Sequence, residues 1–212
     1  VSTIGNPNDN HIYFYEDIDQ QSSLRLIREL RNVDIHFRKE RIERGIEWGV
    51  AWPPIWLHIQ SYGGEVFSSL AVADCIKHMA IPVYSIIEGT ACSGATIISA
   101  ACRKRYMYRN SFMMIHQVSG GNWGTYDTMK DELNILKLIM KSLVKFYTKN
   151  SLMSKNKVTE MLKHDSWLTA KKAQKRGLID FIIGENDLDD TDYESELYKR
   201  RKIKGSKDAS ER

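Results

Sequence analysis

Cysteine is scarce in this chain of 212 residues, and the three present, Cys75, Cys92 and Cys102, are odd in number, lack C-x-x-C spacing and sit among apolar neighbours. That excludes a disulfide framework and fits a reducing compartment. Long apolar runs are missing too. No stretch approaches the roughly 20 consecutive apolar residues of a membrane span. The opening residues Val1 to Asn10 lack a basic segment followed by an apolar one, so a soluble, unexported, cytoplasmic chain is expected. There is no large surplus of either charge, the formal net being +4 from 31 basic and 27 acidic residues, with 42% hydrophobic residues. A wholly disordered chain is therefore excluded. No G-x-x-x-x-G-K-[ST] loop occurs, so any use of ATP belongs to a partner. No repeat and no second domain is visible.

What is present is apolar material for one sizeable core in 24.5 kDa. The charge is unevenly placed: residues 184–212 carry nine acids and seven bases, a net of −2, which leaves +6 on residues 1–183. This tail runs from an acidic block to a basic one with few large apolar residues, so it is expected to be a mobile extension of a single domain over 1–183. Its acids offset its bases, which argues against nucleic acid as a partner.

Along the chain, His11–Tyr15 reads as a strand, and Leu24, Ile27 and Leu30 mark a short helix entered at Ser22 or Ser23. Asn32–Pro54 fits no clean period and is expected to be a partly helical insertion or loop. Ile55–Gln60 alternates as a strand and stops at Gly63-Gly64, after which Val66 to Met79 recur at helical spacing. Pro82–Ile87 is a further strand, Gly89–Gly94 a small-residue loop, and Ala95–Cys102 an almost wholly apolar, hence buried, helix. Strands Arg105–Tyr108 and Phe112–His116, a long amphipathic helix Tyr126–Lys149, a helix over Lys157–Lys163, a short helix between Thr169 and Gly177, and a strand Leu178–Ile183 complete the alternation. The fold class is α/β.

Chemistry concentrates at the glycine-bearing strand–loop–helix junctions. Ser93 stands at the mouth of the buried helix, where free N–H groups and the positive end of the dipole favour an anion. Gly64 and Gly94 can each offer a backbone N–H to a tetrahedral oxyanion. The simpler interpretation of Ser93 is a helix N-cap beside a tight turn, and the loops alone favour it. His116 ends an apolar strand and is a candidate general base, against a satisfied core histidine. Asp165 precedes a capped helix, as orienting carboxylate or as a mere turn residue. Together they supply nucleophile, base and orienter.

Four segments carry a resemblance: Ile59–Gly64 (IQSYGG), Glu88–Ala95 (EGTACSGA), Met114–Gly121 (MIHQVSGG) and Asp165–Asp180 (DSWLTAKKAQKRGLID). In this order and spacing they resemble the signature blocks of the Clp protease proteolytic subunit family (ClpP), and the similarity spans about residues 11–183. The resemblance implies a ClpP/crotonase-type fold, a ββα superhelix with a projecting handle helix over about 119–150. It implies Ser93 as nucleophile, His116 as general base and acid, Asp165 as orienter, and the Gly64 and Gly94 amides as oxyanion hole. Gln117, Val118, Ser119, Gly120 and Gly121 are then a strand that pairs with extended substrate. The activity implied is a serine endopeptidase that cleaves unfolded polypeptides inside a homo-oligomeric chamber of two stacked heptameric rings, served by an AAA+ unfoldase, without metal or other cofactor.

The sequence departs from the family pattern in places. Tyr62 stands where proline is usual, Gly94 where methionine is common, and both the insertion at 32–54 and the tail are additional. Such divergence fits a phage, plastid or accessory version of the subunit. A catalytically silent ring subunit and a crotonase-type acyl-CoA enzyme are the competing functions. The first usually lacks triad members, and the second has no use for Ser93, His116 and Asp165 together.

Overall fold

The computed structural model describes residues 10–45, 53–121 and 123–184. Its frame is a seven-stranded sheet. Strands β1 (His11–Phe14), β2 (Ile55–Ser61), β3 (Val83–Cys92), β4 (Lys104–Tyr108) and β7 (Phe181–Ile183) lie side by side in that order, all parallel. Parallel neighbours need a crossover. Helix α1 (Gln20–Glu43) links β1 to β2, α2 (Val66–Lys77) links β2 to β3, and α3 (Gly94–Ala101) links β3 to β4. Strand β5 (Phe112–Ile115) pairs in parallel with the end of β3, and β6 (Ser166–Thr169) pairs antiparallel with β5. Helices α4 (Tyr126–Asn150), α5 (Lys155–Leu162) and α6 (Ala170–Lys175) complete the order.

Strand β3 holds two partners in succession, β4 along Tyr84–Ile87 and β5 along Thr90–Cys92. The change occurs at Gly89, whose φ of +73° is costly for any side chain. Ser111 spans the gap, accepting from the Gly89 N–H at 2.9 Å and donating to the Ile87 carbonyl at 3.2 Å. The stretch from Gly89 to Cys92, expected to be loop, is therefore strand. Strand β6 was not expected either, because four residues show too little alternation to stand out.

Helix α1 corrects a second expectation. It begins with a capping box, in which the Asp19 carboxylate accepts from the Ser22 N–H at 2.7 Å and Ser22 Oγ accepts from the Asp19 N–H at 2.9 Å. It then runs unbroken to Glu43, so residues 32–43 of the supposed insertion are its second half. Its buried stripe, Leu26, Leu30, Val33 and Phe37, continues at Asp34 and Arg41, and those two charged residues conceal the helical period. Asp34 is buried because it accepts from the Ile81 N–H at 2.8 Å. Residues 46–52 of that stretch, the first nine residues and the tail from 185 onward lie outside the described residues.

The helices cover one sheet face, over a core that includes Leu57, Ile59, Ile87, Ile98, Met107 and Met113. The other face carries an aromatic row across four strands. Trp56 lies 5.3 Å from both Tyr84 and Tyr106, and Tyr106 stacks on Phe181 at 4.6 Å. Helix α4 is mostly external: only Leu143 and Tyr147 are buried, whereas Met129, Leu133, Ile135 and Leu138 are exposed. Residues 119–121 and 123–125, expected within the handle, are not helical. Among the described residues no helix is long and apolar enough to cross a membrane.

One buried ion pair ties the far end together. The Arg105 guanidinium grips Asp180 at 2.7 and 3.1 Å and donates to the Asn150 carbonyl at 2.7 Å, joining β4, the approach to β7 and the end of α4. The last strand begins at Phe181 rather than at Leu178, because its ladder to β4 starts with Tyr106 opposite Phe181. Removing one partner of a buried pair strands the other charge. Asp180→Ala is expected to lower unfolding free energy by about 3–5 kcal/mol, measurable by urea denaturation. An unchanged midpoint would contradict this account.

Candidate active site

Ser93 occupies the turn between β3 and α3 with φ 51° and ψ −121°, the single non-glycine residue with positive φ among the described residues. Such a conformation costs on the order of 1–3 kcal/mol and persists only where its surroundings enforce it. Three bonds do so here. The Ser93 N–H donates to the Met114 carbonyl at 2.8 Å, and its carbonyl accepts from the Thr96 N–H at 3.0 Å and from Thr96 Oγ1 at 2.6 Å. The Ser93 hydroxyl makes no capping bond to α3, so the helix-cap interpretation fails. A sharp strand-to-helix turn of this kind presents the hydroxyl rather than spending it on the helix.

His116 and Asp165 are brought together by strand register. The β5–β6 ladder pairs Phe112 with Thr169 and ends with Ile115 opposite Ser166, so the next pair outward is His116 and Asp165. His116 Nδ1 lies 3.8 Å from Asp165 Oδ1, with Asp165 70% exposed and His116 24%. This is an ion-pair distance. A hydrogen bond would need an approach to about 2.8 Å. Ser93 follows Cys92, which is paired with Met114, so the ends of β3, β5 and β6 deliver all three side chains to one edge of the sheet.

A cavity of about 370 Å³ opens there, lined by Gly64, Glu65, Val66, Ser93, Gly94, Ile97, His116, Gln117, Val118, Ser119, Leu143 and Tyr147. Asp165 does not line it and reaches it only through His116. The Gly64 amide is spared by its loop: Ile18 donates to the Gly63 carbonyl at 2.7 Å and accepts from the Glu65 N–H at 2.8 Å, so this ladder uses the groups on either side of Gly64. Close packing forbids larger residues. A Cβ on Gly64 would collide with the Ile18 carbonyl, and one on Gly94 with Ser69 Oγ.

Residues 117–121 were expected as a strand, and they have no regular secondary structure. A ladder needs a second strand, and among the described residues none pairs with this segment. Val118 is held to α4 by its N–H to Met140 Sδ at 3.3 Å. The sequence reading missed Ile97, Leu143 and Tyr147 as cavity lining. The helical stripe of α4 contained Leu143 and Tyr147, but nothing in that stripe told cavity from core. Among the described residues no three His, Cys, Asp or Glu side chains converge as a metal site.

Comparison with known proteins gives a consistent picture. The family model described as Clp protease matches residues 50–186. An ATP-dependent Clp protease proteolytic subunit from Mesostigma viride is 28% identical over 192 residues, which is 89% of this chain and 78% of that protein. One of the same description from Streptococcus pneumoniae is 34% identical over 140 residues, 63% of this chain and 70% of that one. In structure, a ClpP1 point mutant from Listeria monocytogenes superposes with a TM-score of 0.71 at 20% identity, covering 85% of this chain and 95% of that one.

The loop that carries Gly63 presses on the Ser93 turn. A Cβ at Gly63, where φ is +94°, would stand 2.5 Å from the Cys92 carbonyl oxygen and 2.8 Å from Ser93 Cβ. Gly63→Ala is expected to displace the turn and lower kcat for a fluorogenic peptide by about 100-fold, the order of loss for a displacement near 1 Å. Turnover equal to that of the unmodified chain would show that the contact does not hold Ser93.

Proposed function

Because the chain belongs to the Clp protease family, it is a serine-type endopeptidase that cleaves polypeptides in an oligomeric assembly, and we propose that Ser93, His116 and Asp165 are its catalytic triad. The observation that carries the proposal is the strained Ser93 turn opening into the cavity that His116 also lines. With Asp165 beside Nδ1, the proton of the neutral imidazole belongs on Nδ1, and Nε2 is left to act as base. Ser93 Oγ attacks the substrate carbonyl as His116 takes its proton. The tetrahedral oxyanion is met by the N–H groups of Gly64 and Gly94. His116 then gives the proton to the leaving amine, and water hydrolyses the acyl-enzyme by the same steps in reverse order.

Gln117, Val118 and Ser119 border the cavity and Gly120 and Gly121 follow them exposed; an extended polypeptide that adds to Gln117–Gly121 as a second strand is bound through main chain, so many sequences are accepted. Residues 1–183 are one peptidase domain, and 184–212 are a charged extension of it. The exposed apolar side chains of α4 are of the kind that a ring-to-ring contact buries, giving two stacked heptamers fed by an AAA+ unfoldase of the Clp type. The compartment is cytoplasmic. Burial pushes the Cys102 thiol up to about 12 and raises that of Cys92, which suits thiols that stay reduced.

Ser93→Ala is expected to lower peptide hydrolysis by on the order of a million-fold, and a fluorophosphonate should label the unmodified chain at Ser93 alone. Normal turnover in the variant would end the assignment. Sedimentation should give a particle of about fourteen chains; a stable monomer would refute the double ring.

A further inference from the structure

Thr96 and Tyr147 meet behind the catalytic turn and have no part in the triad. Thr96 is fully buried in the first turn of α3, and Tyr147 reaches it from α4 with 2% of its surface exposed. Thr96 Oγ1 donates to the Ser93 carbonyl at 2.6 Å, and the same oxygen lies 2.6 Å from the Tyr147 hydroxyl. The order of donation follows from counting protons. Thr96 has one hydroxyl proton and the carbonyl has none, so the Thr96 proton goes to the carbonyl and Thr96 Oγ1 accepts from Tyr147. Burial pushes the Tyr147 phenol up to about 12, so this donor keeps its proton through the working range.

The Ser93 carbonyl belongs to the same peptide unit as the Gly94 N–H. A trans peptide is planar, with its C=O and N–H pointing in opposite directions. Fixing the carbonyl toward Thr96 therefore fixes the Gly94 N–H toward the opposite side, where Gly94 borders the cavity. Bonding at the carbonyl also polarises the peptide and strengthens its N–H as a donor.

We infer that Thr96 and Tyr147 are positioning residues that aim and strengthen the Gly94 amide as an oxyanion donor, so that the seating of α4 sets the rate of the chemical step. The inference rests on the proposed role of Gly94. It gives Tyr147 a purpose beyond packing: its ring fills the wall of the cavity, and its hydroxyl acts through Thr96 on a peptide that it does not touch.

The test uses the full chain with Tyr147→Phe, Thr96→Val and Thr96→Ser. It measures kcat and KM on a fluorogenic peptide and the affinity of a peptide boronate, whose tetrahedral adduct on Ser93 places an oxygen at the oxyanion site. Tyr147→Phe keeps the ring and removes the relay's first proton. It is expected to lower kcat by about 10-fold with KM unchanged within two-fold, well short of the 10²–10³-fold lost when such a donor is deleted. Boronate affinity should fall by the same factor. Thr96→Val should lose at least as much, and Thr96→Ser, which keeps the hydroxyl, should restore most of it. Unchanged kcat in Tyr147→Phe overturns the inference, as does a loss carried by KM. So does a Thr96→Ser variant as slow as Thr96→Val, or, if the valine variant does not fold, as slow as Tyr147→Phe. Fluorophosphonate labelling of the unmodified chain separates the two levels. Labelled Ser93 with an indifferent Tyr147 removes only the relay, whereas an unlabelled Ser93 removes the catalytic reading beneath it.

Discussion

The hydrogen bond from the Ser93 N–H to the Met114 carbonyl, 2.8 Å long, carries the end of β3 across to β5 at the point where the chain must turn into α3. Without it Ser93 has no reason to hold a positive φ, and relaxation would rotate the hydroxyl away from the cavity. The bond exists because β3 has already left β4 and taken β5 as its neighbour, and that exchange depends on the positive φ of Gly89 with Ser111 bridging the gap. Glycine at 89, serine at 111 and serine at 93 are thus one device read along a single strand.

The same exchange places His116 and Asp165. Since β5 is parallel to β3, its end lies beside Ser93. Since β6 is antiparallel to β5, its start lies beside that end. Two ladders of opposite sense are enough to gather three residues separated by 23 and 49 positions in the chain. Precision is greatest where backbone is involved and least at Asp165, which stands on the rim with most of its surface in solvent. A carboxylate so placed gains little from its partner while water screens it, and the order of the trio therefore falls from the half-buried Ser93 outward.

Helix α4 stands in two environments. Its last turns are part of the core through Leu143 and Tyr147, and the bond from Tyr147 to Thr96 reaches the catalytic turn. Its earlier turns leave Met129, Leu133, Ile135 and Leu138 to solvent, an arrangement that makes sense for a chain that works in an assembly. One rigid helix so placed connects whatever covers its outer turns to the residue behind Ser93.

Strong local patterns were legible in the sequence: the alternation of Ile55, Leu57 and Ile59, the almost wholly apolar α3, the small-residue junctions at Gly63-Gly64 and Ser93-Gly94, and His116 at a strand end. Where a single residue breaks the pattern for a tertiary reason, reading failed. Asp34 interrupts the apolar stripe of α1 because its partner, the Ile81 N–H, comes from elsewhere in the fold, Arg41 is a second buried charge on that stripe, and β6 is too short to show a period without β5 beside it. By itself the sequence determined the alternating α/β order and the family, and it singled out Ser93, His116 and Asp165 as candidates, because periodicity and motif spacing are local properties of the chain. Only the tertiary structure decided that Ser93 is strained rather than capping, that Asp165 faces His116 across a strand register, and that Tyr147 stands behind the Ser93 turn. Each of those is a contact between distant residues, set by how strands pair and helices pack.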